Sequence, residues 1–161
     1  KSKIDLKLVI SNNYNILDFE FSKKNKINTK IIDYKKLKHA EDHIIKHLRK
    51  NNIKLICLAG FMKILSNDFI KKFKYHIINI HPSLLPKYKG LNTHERAINN
   101  GEKYSGCTVH FVTEKLDSGK IILQDRVKIL KSDNPQTLAK KILILENKIY
   151  PKAIDLILSK I

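Results

Sequence analysis

Only two cysteines occur in this sequence of 161 residues, Cys57 and Cys107, 50 positions apart. That pattern is neither a disulfide scaffold nor a set of zinc ligands. Glycine is scarce as well, with five in the whole chain, which excludes a glycine-rich dinucleotide fingerprint and a Walker phosphate loop. Arginine is rarer still, at 3 against 29 lysines. No apolar run approaches the roughly 20 residues needed to cross a membrane as a helix. No secretory signal is read, so a reduced cytoplasmic setting is expected.

What is present points to a folded enzyme-sized unit. The length suits one domain over residues 1–161, large enough to bury about two thirds of the surface its unfolded chain exposes. A hydrophobic content of 42% excludes a disordered chain. The formal net charge is +17. A nucleic-acid partner would explain it, because lysine and arginine neutralise phosphates. Yet the lysines are spread along the chain, and arginine, the better fork for phosphates and bases, is nearly missing. The 25 isoleucines and 14 asparagines fit A/T-rich coding. The charge therefore reads as a generally basic surface that draws in an anionic small molecule, a reading favoured over a nucleic-acid face, with no membrane as partner. Oligomeric state is not encoded in these patterns.

Strand and helix signals alternate through the first half. Leu6–Ile10, Asn28–Ile32, Ile53–Ala59 and Ile77–Ile80 read as strands, the third strongly buried. His39–Lys50 carries Ile44, Ile45 and Leu48 at a helical period, and Ser66 can cap a short helix through Phe73. Such alternation argues a Rossmann-like α/β fold: an open, twisted, mainly parallel sheet with helices on both faces. The second half changes character. Thr93–Asn100 reads as a short helix with Gly101 beyond its end. Cys107–Thr113 and Lys120–Ile129 read as an antiparallel pair on a mixed sheet. Asn134-Pro135 opens a long helix with Leu138, Ile142, Leu145 and Ile149 as its buried stripe; Pro151 is expected to interrupt it.

The sharpest local signal is Asn79-Ile80-His81-Pro82. Residues two apart on a strand point the same way, so Asn79 and His81 share a side. They stand at the carboxyl end of a strand, where open α/β sheets place ligands, and Pro82 forces the chain out of the ladder. An amide donor beside an imidazole suits acyl transfer, one stabilising an oxyanion and the other moving a proton. A strand-end histidine capping backbone groups is the bland alternative. Asp117 precedes Ser118-Gly119 between two strands. It reads equally as turn chemistry or as a carboxylate orienting His81, and spacing does not choose. His39, His43 and His47 recur at four-residue intervals, which reads as a solvated polar face, not a metal site. His76, His94 and His110 read as ordinary structural or surface residues, and Glu146 alone as a solvated helix residue.

The run Asn79-Ile80-His81-Pro82-Ser83-Leu84-Leu85-Pro86-Lys87-Tyr88-Lys89-Gly90-Leu91-Asn92-Thr93-His94 resembles phosphoribosylglycinamide formyltransferase. Flanking segments agree in order: Leu58–Ser66, Gly106–Val112, Leu116–Gly119 with Ile122-Leu123-Gln124 behind, and Glu146–Pro151. The resemblance implies a formyltransferase fold and formyl transfer from 10-formyltetrahydrofolate, as cosubstrate and without metal, to the amine of glycinamide ribonucleotide in purine synthesis. It also implies a catalytic trio of Asn79, His81 and Asp117. A folate-contacting stretch would run over Met62, Lys63, Ile64 and Leu65, joined by Asn79 and Lys38, and Glu146 would hold the substrate amine.

The resemblance has departures. The family's opening strand and phosphate-cradling glycine loop are missing before Lys1; if the polypeptide begins there, poor stability and very weak ribonucleotide binding are expected, while the folate pocket should survive either way. Methionyl-tRNA formyltransferase and formyltetrahydrofolate hydrolase share the Asn-x-His and Asp arrangement and are the alternatives within formyl chemistry; a non-catalytic basic RNA-binding protein is the alternative outside it.

Overall fold

In the computed structural model, residues 4–12, 16–34 and 39–159 are described. The chain divides into two compact units, residues 1–54 with 65–75, and residues 55–64 with 76–161.

The first unit contains β1 (Leu8–Ser11), α1 (Ile16–Lys24), β2 (Asn28–Ile31), α2 (Ala40–Lys50) and α3 (Asn67–Lys72). β1 and β2 pair in parallel, with Leu8 opposite Asn28. The stripe expected on α2 is buried at Ala40, Ile44, Ile45 and Leu48. As expected, Ser66 caps α3, its Oγ accepting from the Phe69 amide at 3.0 Å. Phe69, Phe73 and Leu65 are buried there. α2 and α3 are tied by Lys72, which reaches Asp42 at 2.8 Å and Asp68 at 2.7 Å.

The second unit is a four-stranded sheet in the order β3 (Leu55–Leu58), β4 (His76–His81), β5 (Tyr104–Phe111) and β6 (Ile121–Lys128). β3 and β4 are parallel, and the other two pairings are antiparallel. This is the mixed α/β fold expected from the sequence, with the antiparallel pair in its second half. Two helices accompany the sheet: α4 (Thr93–Asn99) and α5 (Pro135–Leu158). α5 lies across one face, where Leu138, Ile142, Ile149, Ala153 and Ile157 pack with Ile78, Ile80, Cys107 and Val109. Ile98 of α4 joins the same cluster.

Two expectations are corrected. β3 is not strongly buried: Leu55, Ile56 and Leu58 are half-buried and Cys57 is exposed. Among the described residues it is the edge strand of its sheet, bonded only to β4. Pro151 does not interrupt α5, which runs unbroken for 24 residues. Proline removes one backbone hydrogen bond, but Ile149 before it and Ala153 and Ile157 after it are buried in one cluster, so packing holds both halves in line.

Candidate active site

Alternation along β4 separates packing from chemistry. Ile78 and Ile80 turn toward α5, so Asn79 and His81 turn to the other face. The antiparallel register sets His110 of β5 directly opposite Asn79, and Thr108 opposite His81. Gln124 of β6 lies opposite Thr108 in turn. The face away from α5 is therefore a polar patch built from three strands.

β4 ends at His81 because Pro82 cannot continue the ladder. The departing segment is pinned by Thr108, whose Oγ1 donates to the Ser83 carbonyl at 2.6 Å and accepts from the Leu85 amide at 3.1 Å. Gln124 Nε2 donates to Thr108 Oγ1 at 2.8 Å and to the Leu85 carbonyl at 3.0 Å. With the exit path fixed, the chain returns past His81. Its Nε2 lies 2.9 Å from the Tyr88 carbonyl, to which it donates as N–H.

Asp117 approaches from the turn between β5 and β6. It occupies a left-handed turn position, φ 45°, and its carboxylate is 8% exposed. Oδ2 lies 3.5 Å from His81 Nδ1 and accepts from the Gly90 amide at 2.9 Å. Oδ1 lies 3.7 Å from His110 Nε2. His81 and Asp117 thus stand 3.5 Å apart, and Asn79, on the same face as His81, is linked to Asp117 through His110.

His110 was missed. It is 2% exposed, its Nδ1 donates to its neighbour's carbonyl, Phe111, at 2.9 Å, and its Nε2 stands 3.4 Å from Asn79 Nδ2. Burial holds its pKa below the ordinary value, against an upward pull from the Phe111 carbonyl and Asp117. A neutral ring fits these contacts, accepting at Nε2 from the Asn79 amide. His94 on α4 is held low by burial and then by the charge of His81, so it too belongs to this neighbourhood. The signal that would have found His110 is the pairing of β4 with β5, which one sequence does not display.

The other candidates are placed less closely. The stretch after β3 starts where Leu58 pairs with Asn79, at the carboxyl end of the strands. Met62 and Ile64 are 71% and 74% exposed, and Lys63 is exposed, whereas Leu65 is buried within the first unit. Lys38 lies outside the described residues. Glu146 is not a solvated helix residue. It is half-buried on the sheet-facing stripe of α5, close enough to raise the Cys107 pKa, and burial raises its own. Its side of the sheet is the α5 side, and among the described residues it makes no hydrogen bond or ion pair with the trio. Among the same residues, no three His, Cys, Asp or Glu side chains are grouped to hold a metal ion.

The family model described as "Formyl transferase" matches residues 1–154. The chain is 40% identical over 161 residues to the trifunctional purine biosynthetic protein adenosine-3 of Homo sapiens, covering 98% of this chain and 16% of that protein. It is 46% identical over 114 residues to phosphoribosylglycinamide formyltransferase of Haemophilus influenzae, covering 71% of this chain and 54% of that protein. The crystal structure of phosphoribosylglycinamide formyltransferase from Anaplasma phagocytophilum superposes with a TM-score of 0.92 at 42% identity, over 99% of this chain and 77% of that one. The chain thus spans a sixth to about half of these two curated relatives. The chain belongs to the formyl transferase family, among the phosphoribosylglycinamide formyltransferases.

Proposed function

We propose that this chain transfers the formyl group of 10-formyltetrahydrofolate to the amine of glycinamide ribonucleotide, a step of purine synthesis. The observation that carries this reading is the 3.5 Å approach of His81 and Asp117 at the carboxyl end of β4, with Asn79 on the same face and linked to Asp117 through His110.

The substrate amine attacks the formyl carbon. A C–N bond forms and charge gathers on the formyl oxygen. The Asn79 amide and a ring N–H of His81 donate to that oxygen. When the intermediate collapses, the bond to the folate nitrogen breaks, and the proton lost by the amine ends on that nitrogen. Asp117 accepts from His81 and passes protons through water. Nε2 of His81 donates to the Tyr88 carbonyl at 2.9 Å, while Nδ1 is the loosely held nitrogen at 3.5 Å from Asp117. Donation to the oxyanion therefore requires one of these contacts to be shared or exchanged.

The exposed run Met62, Lys63 and Ile64, with Leu65 after it, is the folate-contacting stretch in this reading, joined by Lys38. Glu146 is assigned to the substrate amine, which must then pass the carboxyl end of the sheet to be reached from the α5 side. A carboxyl whose pKa is raised by burial gains from a cationic partner. A single family model spanning residues 1–154 supports treating the two units as one domain. A reducing cytoplasmic setting, in which Cys57 and Cys107 stay free, belongs to the same proposal.

The test is a formyl-transfer assay on the chain with both substrates. Formylated ribonucleotide should appear, and His81→Ala should abolish most of it. Release of formate without transfer to the amine would point to hydrolysis instead, and no turnover of either kind would refute the proposal.

A further inference from the structure

Resting on the formyl-transfer reading, we infer that Arg96 is a positioning residue for this site, holding the backbone of residues 88–91 in the shape that meets His81 and Asp117. Tyr88, Gly90 and Asn92 have φ of 55°, 77° and 56°. Two of these are not glycine, and such a conformation persists only where the surroundings over-determine it. The surroundings are specific. Arg96 Nη1 donates to the Lys89 carbonyl at 2.7 Å and to the Leu91 carbonyl at 3.2 Å. Its guanidinium also lies 5.3 Å from the centre of the Tyr88 ring. The Tyr88 hydroxyl donates to Glu102 at 2.8 Å and accepts from Asn100 at 3.0 Å.

These contacts sort the loop by direction. The carbonyls of Lys89 and Leu91 are drawn to Arg96, and the Tyr88 side chain is tied to Glu102. What remains turned the other way is the Tyr88 carbonyl, which meets His81, and the Gly90 amide, which meets Asp117. Arg96 touches neither His81 nor Asp117, so its effect reaches them only through the backbone.

The test compares the chain with Arg96→Ala by amide hydrogen exchange at Gly90, by unfolding midpoint and by kinetics. Exchange at Gly90 should speed up about tenfold or more, and kcat should fall about tenfold with KM for the ribonucleotide within about twofold, since small misplacements at a reacting centre act on turnover. If Arg96→Ala does not fold, Arg96→Met keeps the aliphatic stem and serves in its place. A folded variant with unchanged exchange at Gly90, or with unchanged kcat, overturns the assignment. If the unaltered chain transfers no formyl group, the formyl-transfer reading fails while the exchange measurement still scores the clamp.

Discussion

The two faces of one sheet make opposite demands on the same strands. On the α5 side, Ile78, Ile80, Cys107 and Val109 are sealed against Leu138 and Ile142. On the other side, one residue along in each case, stand Asn79, His81, Thr108 and His110. Period-two alternation lets β4 and β5 serve as scaffold and as site at once. Substitutions on the two faces should therefore separate cleanly, one set acting on stability and the other on turnover.

The largest expected effect is on the apolar face. Ile142, 1% exposed, should cost about 2–5 kcal/mol of stability when cut to alanine, measured by urea unfolding, with turnover per folded molecule unchanged. A loss of turnover beyond the unfolded fraction would blur the comparison. Next comes the polar face. Asn79→Ala should lower kcat about 100-fold, the scale of a lost oxyanion donor, and shift the unfolding midpoint less than Ile142→Ala does. The reverse ranking would break the division.

A smaller effect distinguishes the faces by pH. Burial pushes Cys107 up to about 12 on the α5 side, assisted by the charges of Glu146 and Asp125, so it stays neutral through the working range. His110 and His94 on the other side are lowered from 6.5, first by burial. His47 in the first unit is lowered too, by burial and then by neighbouring lysines. Below about pH 6.5 the unfolded chain takes up protons that the folded chain refuses, so stability is full above that pH and falls as pH drops toward the lowered values. His110→Gln should flatten part of this fall in unfolding curves compared at about pH 7 and 5.5. An unchanged slope would remove His110 from the account.

Much of the fold was legible because local chemistry agreed with the final structure. Ser66 is a capping residue whose side chain can act without distant partners, and it caps; Pro135 opens α5 where its missing N–H is not needed. The α2 and α5 stripes follow from helical periodicity alone. What local chemistry could not convey was context. Cys57 and its neighbours have the composition of a buried strand but sit at an edge. Pro151 breaks helices in isolation but is overruled by packing on both sides. At the site, Asn79 and His81 were visible because they share one strand. Asp117 was visible through the family resemblance, since its turn geometry would also suit any Asp-Ser-Gly link. His110 lies 31 residues from Asn79, and only the antiparallel register joins them.

The central claim is that His81 and Asp117 work as one unit, and a double-mutant cycle on kcat/KM tests it most directly. His81→Ala, Asp117→Asn and the double variant would be assayed for formyl transfer under one set of conditions, with folding checked by unfolding midpoint. Because the carboxylate is assigned to orient and partner the imidazole at 3.5 Å, its loss should matter little once the imidazole is gone. The expected result is a double variant within about threefold of His81→Ala alone, as for residues that act together. Losses that multiply, so that the double variant shows the full product of the two single effects, would contradict the claim.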